Sequence, residues 1–184
     1  MKRFFTLLLL AIFVTGIQAQ QKVTLRDIAQ GTYRAQGISG LKPMLDGEHY
    51  TQISSDHKRI VKYSFKTGEE VGTLFDVTTA RDCDLKSFDD YILSPDEKLI
   101  LIQTETKPIY RRSFTAVYYI YNVRNNKLEP LSNNGPQQVP LFSPDGNQIA
   151  FVRNNNIYLV KLLFNNSESQ VTKDGEYNKV LNGI

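Results

Sequence analysis

Three short phrases recur along the chain at an almost constant interval: Leu45-Asp46-Gly47-Glu48, Ser94-Pro95-Asp96-Glu97 and Ser143-Pro144-Asp145-Gly146. Their Asp residues stand 50 and 49 residues apart, so the period holds to within one residue. A repeat of roughly 40–50 residues admits few architectures, because each unit is one supersecondary block that cannot bury both its faces and must stack on its neighbours. The phrase has a physical reason to recur. Pro presets the first central position of a type I turn, Asp suits the second, and Gly is favoured at the fourth. The Asp side chains are therefore read as turn formers. A metal reading of Asp145-Gly146-Asn147 fails because no bidentate Glu follows at the spacing of a calcium loop.

Apolar runs follow the phrases: Leu99-Ile100-Leu101-Ile102 in the second unit and Ile149-Ala150-Phe151-Val152 in the third. Further extended stretches, residues 117–123 and 157–162, lead to polar turns at residues 124–127 and 165–168 and then to closing strands. In the first unit, residues 60–65 have strand composition and Lys66-Thr67-Gly68-Glu69 has the chemistry of a hairpin turn. Each unit reads as a four-stranded antiparallel meander, which is the blade of a β-propeller. The expected fold class is all-β: a partial β-propeller of about three four-stranded antiparallel blades, after a signal peptide and a short N-terminal helix. A propeller needs at least about four blades to close, so the ring is expected to be unfinished.

The N-terminus explains the charge balance. Lys2 and Arg3 precede an apolar stretch at residues 4–14, with Ala19 before the expected cut, the pattern of a secretory signal over residues 1–19. The stretch falls short of the roughly 18 residues a stable membrane span requires. Its loss takes two cations from 22 Lys+Arg and leaves 20 against 19 Asp+Glu; nor do the remaining Lys and Arg form a stripe of the kind a phosphate backbone recruits, so nucleic acid is not an expected partner. Residues 20–40 read as a helix and linker, with Thr24 ahead of Leu25, Asp27 and Ile28, and residues 41–184 as the blades. One cysteine, Cys83, cannot form an intramolecular disulfide and is read as a small buried group. The protein is expected to be exported, periplasmic or secreted.

One connection breaks the repeat. In the third unit the second turn is Arg153-Asn154-Asn155-Asn156, whereas the matching connection of the second unit runs over residues 103–116. Two to five residues normally suffice there, and repeat proteins often bind through such insertions. The added stretch carries Arg111 and Arg112 beside Tyr110 and Phe114. Guanidinium groups suit fixed hydrogen bonds to carboxylate or carbonyl oxygens. Two solvated loop charges are the competing reading.

The run from Tyr110-Arg111-Arg112-Ser113-Phe114-Thr115-Ala116 into the aromatic strand that ends at Asn122 resembles the segment of dipeptidyl peptidase IV in which an aromatic precedes Arg-His-Ser-Tyr-Thr-Ala. Phe151-Val152-Arg153, Asn155-Asn156-Ile157-Tyr158 and Val180-Leu181-Asn182-Gly183 are similar to bacterial members as well. The resemblance implies an N-terminal propeller joined to a C-terminal α/β-hydrolase domain with a Ser-Asp-His triad. It also implies release of dipeptides from free N-termini with Pro or Ala second, and a homodimeric parent. In that family a propeller Glu pair holds the substrate amine, and the Arg matching Arg111 contacts a substrate carbonyl. Arg112 stands where relatives often have His, which makes it the alternative contact. The Glu pair is expected shortly after Gly183.

The chain has no Gly-x-Ser-x-Gly elbow, since Gly37-Ile38-Ser39-Gly40 is misspaced, and it has no P-loop, dinucleotide fingerprint or metal signature. No cofactor is expected. His49 and His57 lie near turns and are read as surface or turn residues, and Asn165-Asn166-Ser167, although a glycosylation pattern, as a turn. The expectation is a substrate-gating segment without turnover of its own. The rivals are an exported, non-enzymatic propeller serving as a protein-interaction scaffold, and a short product that completes a ring with other chains.

Overall fold

A computed structural model describes residues 22–35, 37 and 40–183, so the signal reading of residues 1–19 lies outside the described residues. The chain divides into two compact units, Met1–Ser39 and Gly40–Ile184.

In the first unit, α1 (Leu25–Gln30) begins where the sequence places it. The Thr24 hydroxyl accepts from the Asp27 N–H at 3.2 Å, the Asp27 carboxylate accepts from the Thr24 N–H at 2.9 Å, and Gly31 closes the helix at φ 68°. These reciprocal bonds satisfy end groups that a helix otherwise leaves open. They matter here because no residue of the helix is buried.

Among the described residues, the second unit holds three four-stranded antiparallel sheets, each a meander of consecutive strands. The first contains β1 (Lys42–Pro43), β2 (His49–Ile53), β3 (Arg59–Ser64) and β4 (Glu70–Asp76). The second contains β5 (Asp90–Leu93), β6 (Leu99–Pro108), β7 (Phe114–Asn122) and β8 (Lys127–Pro130). The third contains β9 (Gln138–Phe142), β10 (Gln148–Arg153), β11 (Asn156–Lys161) and β12 (Ser167–Gln170).

The recurring phrases occupy the same place in each sheet, between the first and second strands. The turns close through Gly47, Glu97 and Gly146, whose N–H groups donate to the carbonyls of Met44, Ser94 and Ser143. The Asp side chains act as turn formers. Asp96 and Asp145 each accept from the preceding Ser hydroxyl and from the N–H two residues on, while the same Ser oxygen accepts from Leu99 or Gln148. A fourth copy, Ser54-Ser55-Asp56-His57, links β2 to β3 with the same bonds; it falls off the 50-residue period and sequence reading passes over it.

The fourth residue of each turn is left-handed. Two turns use Gly there, but His57 and Glu97 are held at φ 56° and 57°, a conformation that costs a side chain roughly 1–2 kcal/mol. Both side chains reach across to another sheet or its lead-in: Glu97 accepts from the Leu45 N–H at 2.6 Å, and His57 Nδ1 meets the Phe88 carbonyl at 3.1 Å.

The apolar run Leu99–Ile102 lies in a sheet covered on both faces. Ile100 and Ile102 pack with Ile60, Phe75 and Phe88 on one side, and Leu101 with Ile120, Ile149 and Phe151 on the other. Successive strand side chains point to opposite faces, so an unbroken apolar run is what a sandwiched strand requires. Cys83 is half-buried against the first cluster, and burial pushes its thiol up.

Two boundaries differ from the sequence reading. Asn165 and Asn166 make the expected turn at φ 56° and 52°, but β12 already starts at Ser167, paired with Lys161. The long connection at residues 103–116 is mostly strand. β6 and β7 stay paired through Lys107↔Thr115 and Pro108↔Phe114, so the turn proper is residues 109–113. Alternating Thr104 and Thr106 suit a strand, and Pro108 is tolerated at its end.

Candidate functional site

The lengthened β6–β7 hairpin corresponds in chain order to the turn at residues 54–58 in the first sheet and to the Asn154–Asn155 turn in the third. The latter two asparagines are left-handed, at φ 49° and 61°, and reverse the chain tightly. At the longer tip, the N–H groups of Ile109 and Tyr110 both donate to the Ser113 carbonyl, at 2.8 and 3.1 Å. Tyr110 is 83% exposed. Arg111 and Arg112 are exposed at this tip, and neither has an ion-pair partner among the described residues. The structure brings the two guanidinium groups together on one tip without distinguishing them.

The base of the hairpin is ordered by polar groups that sequence reading missed. A bulge interrupts the ladder between Thr104 and Lys107, with Glu105 at φ 51°. Across it, the Tyr118 hydroxyl donates to Gln103 Oε1 at 3.0 Å, Gln103 Nε2 donates to the Thr106 hydroxyl at 2.8 Å, and that hydroxyl donates to Asp89 at 2.7 Å. Asp89 also accepts from the Thr106 N–H at 2.9 Å. Gln103 is 8% exposed, and burial pushes the Tyr118 phenol up to about 12. Nothing short of tertiary structure joins Asp89 to Thr106.

A cleft of about 460 Å³ opens beside the hairpin. Ile109 and Ser113 line one side, Asn154 and Asn155 another, and Tyr177 and Leu181 a third. Residues 174–183 reach this place by docking on the β10–β11 hairpin: the Gly175 N–H donates to Asn156 Oδ1 at 2.9 Å and the Asn182 N–H to the Asn155 carbonyl at 3.1 Å. A side chain at Gly175 would run into the Asn155 carbonyl.

Arg153 lines the same cleft. Its guanidinium pairs with Glu168 of β12 and donates to the Ser132 hydroxyl at 2.8 Å, and it lies 4.1 Å from the Tyr158 ring centre. Burial alone would push the Glu168 carboxyl up, but bonds from Arg153, Ser132 and Asn134 outweigh it and hold it below its ordinary range. Of the two histidines, His57 sits in the turn between β2 and β3, whereas His49 opens strand β2 right after a turn, its ring bonded to Asp46 at 2.7 Å. Among the described residues, no three His, Cys, Asp or Glu side chains gather as metal ligands, and no helix is long and apolar enough to cross a membrane.

Stacked four-stranded meanders with period-locked turns define a segment of a β-propeller, here with one hairpin drawn out and tipped by arginines. Residues 94–184 match the family described as dipeptidyl peptidase IV (DPP IV) N-terminal region. The chain is 32% identical over 168 residues to human prolyl endopeptidase FAP, covering 88% of this chain and 20% of the relative. It is 30% identical over 169 residues to cat dipeptidyl peptidase 4, covering 90% and 21%. Among solved structures, Porphyromonas gingivalis dipeptidyl peptidase 4 superposes with a TM-score of 0.74 at 40% identity, over 88% of this chain and 23% of that one. The chain belongs to the dipeptidyl peptidase IV family and holds part of its N-terminal propeller region. It spans about a fifth of the length of the curated relatives it matches.

Proposed function

We propose that the chain is the opening part of the substrate-orienting propeller of a dipeptidyl peptidase IV-like serine exopeptidase. In this reading residues 1–19 direct export to the periplasm or beyond, residues 20–40 form the helix and linker, and residues 41–184 form the blades. The longer protein, a homodimer with a C-terminal α/β-hydrolase domain, releases Xaa-Pro and Xaa-Ala dipeptides from peptides with a free N-terminus. The segment itself gates and orients substrate and carries no turnover, because its sequence contains no nucleophile elbow.

The observation that supports this reading is the placement of Arg111: an exposed guanidinium without an ion-pair partner among the described residues, at the tip of a hairpin longer than its counterparts, in the stretch most like the family's substrate-contacting segment. Arg111 donates to a carbonyl of the bound dipeptide, and Arg112 supports it or faces solvent. The test is hydrolysis of a Gly-Pro or Ala-Pro chromogenic substrate by the full-length protein. Losing one charge-assisted hydrogen bond is worth about 1.5–3 kcal/mol, so Arg111→Ala should lower kcat/KM roughly ten- to hundredfold. Unchanged kcat/KM would remove Arg111 from the substrate site, and an inactive full-length parent would remove the peptidase reading.

A further inference from the structure

We propose that the hydrogen-bond chain Tyr118–Gln103–Thr106–Asp89 sets the reach of the arginine-tipped hairpin, which makes Gln103 and Asp89 positioning residues for whatever that tip contacts. The proposal rests on the reading of Arg111 as the substrate contact.

The hairpin has a built-in reason to wander. Its ladder is broken between Thr104 and Lys107, so the outer part, with Lys107↔Thr115 and Pro108↔Phe114, is separated from the core-packed part by an irregular step. Glu105 occupies a left-handed backbone position at that step. A bulge bends its strand and adds twist, so the direction in which the tip leaves the sheet is decided there.

The side-chain hydrogen bonds that link Tyr118, Gln103, Thr106 and Asp89 run in one direction. The Tyr118 O–H points to Gln103 Oε1, the Gln103 N–H to the Thr106 oxygen, and the Thr106 O–H to the Asp89 carboxylate. A series of donors ending on an anion is mutually polarising, and inside a protein such a series strengthens each member. Its two ends are anchored differently. Tyr118 is buried in the cluster between the second and third sheets, and Asp89 lies just ahead of β5, its own N–H donating to the Gln103 carbonyl at 2.8 Å. Thr106 is therefore tied by its hydroxyl and its backbone N–H to one carboxylate oxygen, across 17 residues of sequence. Gln103 uses both ends of its amide, so a side chain of equal size without them cannot replace it.

The experiment compares full-length Asp89→Ala, Asp89→Asn, Gln103→Leu and Arg111→Ala proteins by hydrogen exchange of the peptide spanning residues 104–118 and by steady-state kinetics on a Gly-Pro chromogenic substrate. Asp89→Ala and Gln103→Leu should speed exchange of the hairpin amides and lower kcat/KM by about three- to tenfold, mainly through KM. Asp89→Asn should restore most of both, because an amide oxygen accepts the same two Thr106 bonds. Unchanged exchange in Asp89→Ala and Gln103→Leu would overturn the network as a positioning device. Faster exchange with unchanged kcat/KM, while Arg111→Ala still loses activity, would overturn the link from hairpin to substrate. Faster exchange with a silent Arg111→Ala would locate the fault in the reading of Arg111 and defeat the proposal with it.

Discussion

Replacing Glu168 by Gln removes one charge from the Arg153–Glu168 pair while keeping its size and an acceptor oxygen. The side chains of the pair are 10% and 16% accessible, so the uncompensated guanidinium would be left largely out of water. Removing one partner of a buried ion pair costs about 3–5 kcal/mol, and the residual access and retained amide oxygen reduce this to about 2–3 kcal/mol. With a urea slope of roughly 2 kcal/mol per M, the unfolding midpoint of the variant should fall by about 1 M at pH 7. The pH dependence has a definite sign. The folded carboxyl is held below its ordinary range, so its stabilisation is fully present above the unfolded value of about 4.3 and is lost as pH falls through the lower folded value. The gap between parent and Glu168→Gln should therefore close in strong acid, where the parent carboxyl is also neutral. A gap that stays the same size from pH 7 down to acid would show that the loss comes from altered packing and would refute the electrostatic argument.

Phe75→Ala should cost about 3–5 kcal/mol, because Phe75 is fully buried between the first two sheets with edge contacts to Phe88 and Tyr121; urea unfolding measures it. The Cys83 thiol, raised by burial, should react with a disulfide reagent at pH 8 more slowly than free cysteine, and equal rates would contradict its placement. Arg112→Ala should cost much less kcat/KM than Arg111→Ala with little change in melting temperature for either; the reverse order would move the substrate contact by one residue.

Much of the architecture can be read from the chain because its causes are local. Pro95, Asp96, Asp145 and Gly146 specify turns within four residues, Thr24 and Asp27 cap a helix within one turn, and Asn154-Asn155 suit a left-handed reversal. The regular spacing of such signals then dictates meanders. Arg111 is legible because its hairpin departs from that spacing and because the surrounding residues resemble a known segment. The turn at residues 54–57 is less legible, since it uses the same chemistry away from the period.

Other features have no local cause. Whether residues 103–116 form a loop or a paired hairpin depends on Pro108 meeting Phe114 and on the bonds that Asp89 supplies from another part of the chain. The left-handed Glu97 looks like a poor turn residue until the Leu45 N–H of another sheet is placed beside it. Glu168 looks like one more solvated acid until Arg153 and Ser132 arrive across 15 and 36 residues. The sequence alone determined the repeat, the turns, the capped helix and the candidate arginines, because each is set by neighbours along the chain. Only the tertiary structure decided the direction of the hairpin, the partners of its buried polar groups and the shape of the cleft, because hydrogen bonds between distant residues exist only once the sheets have stacked.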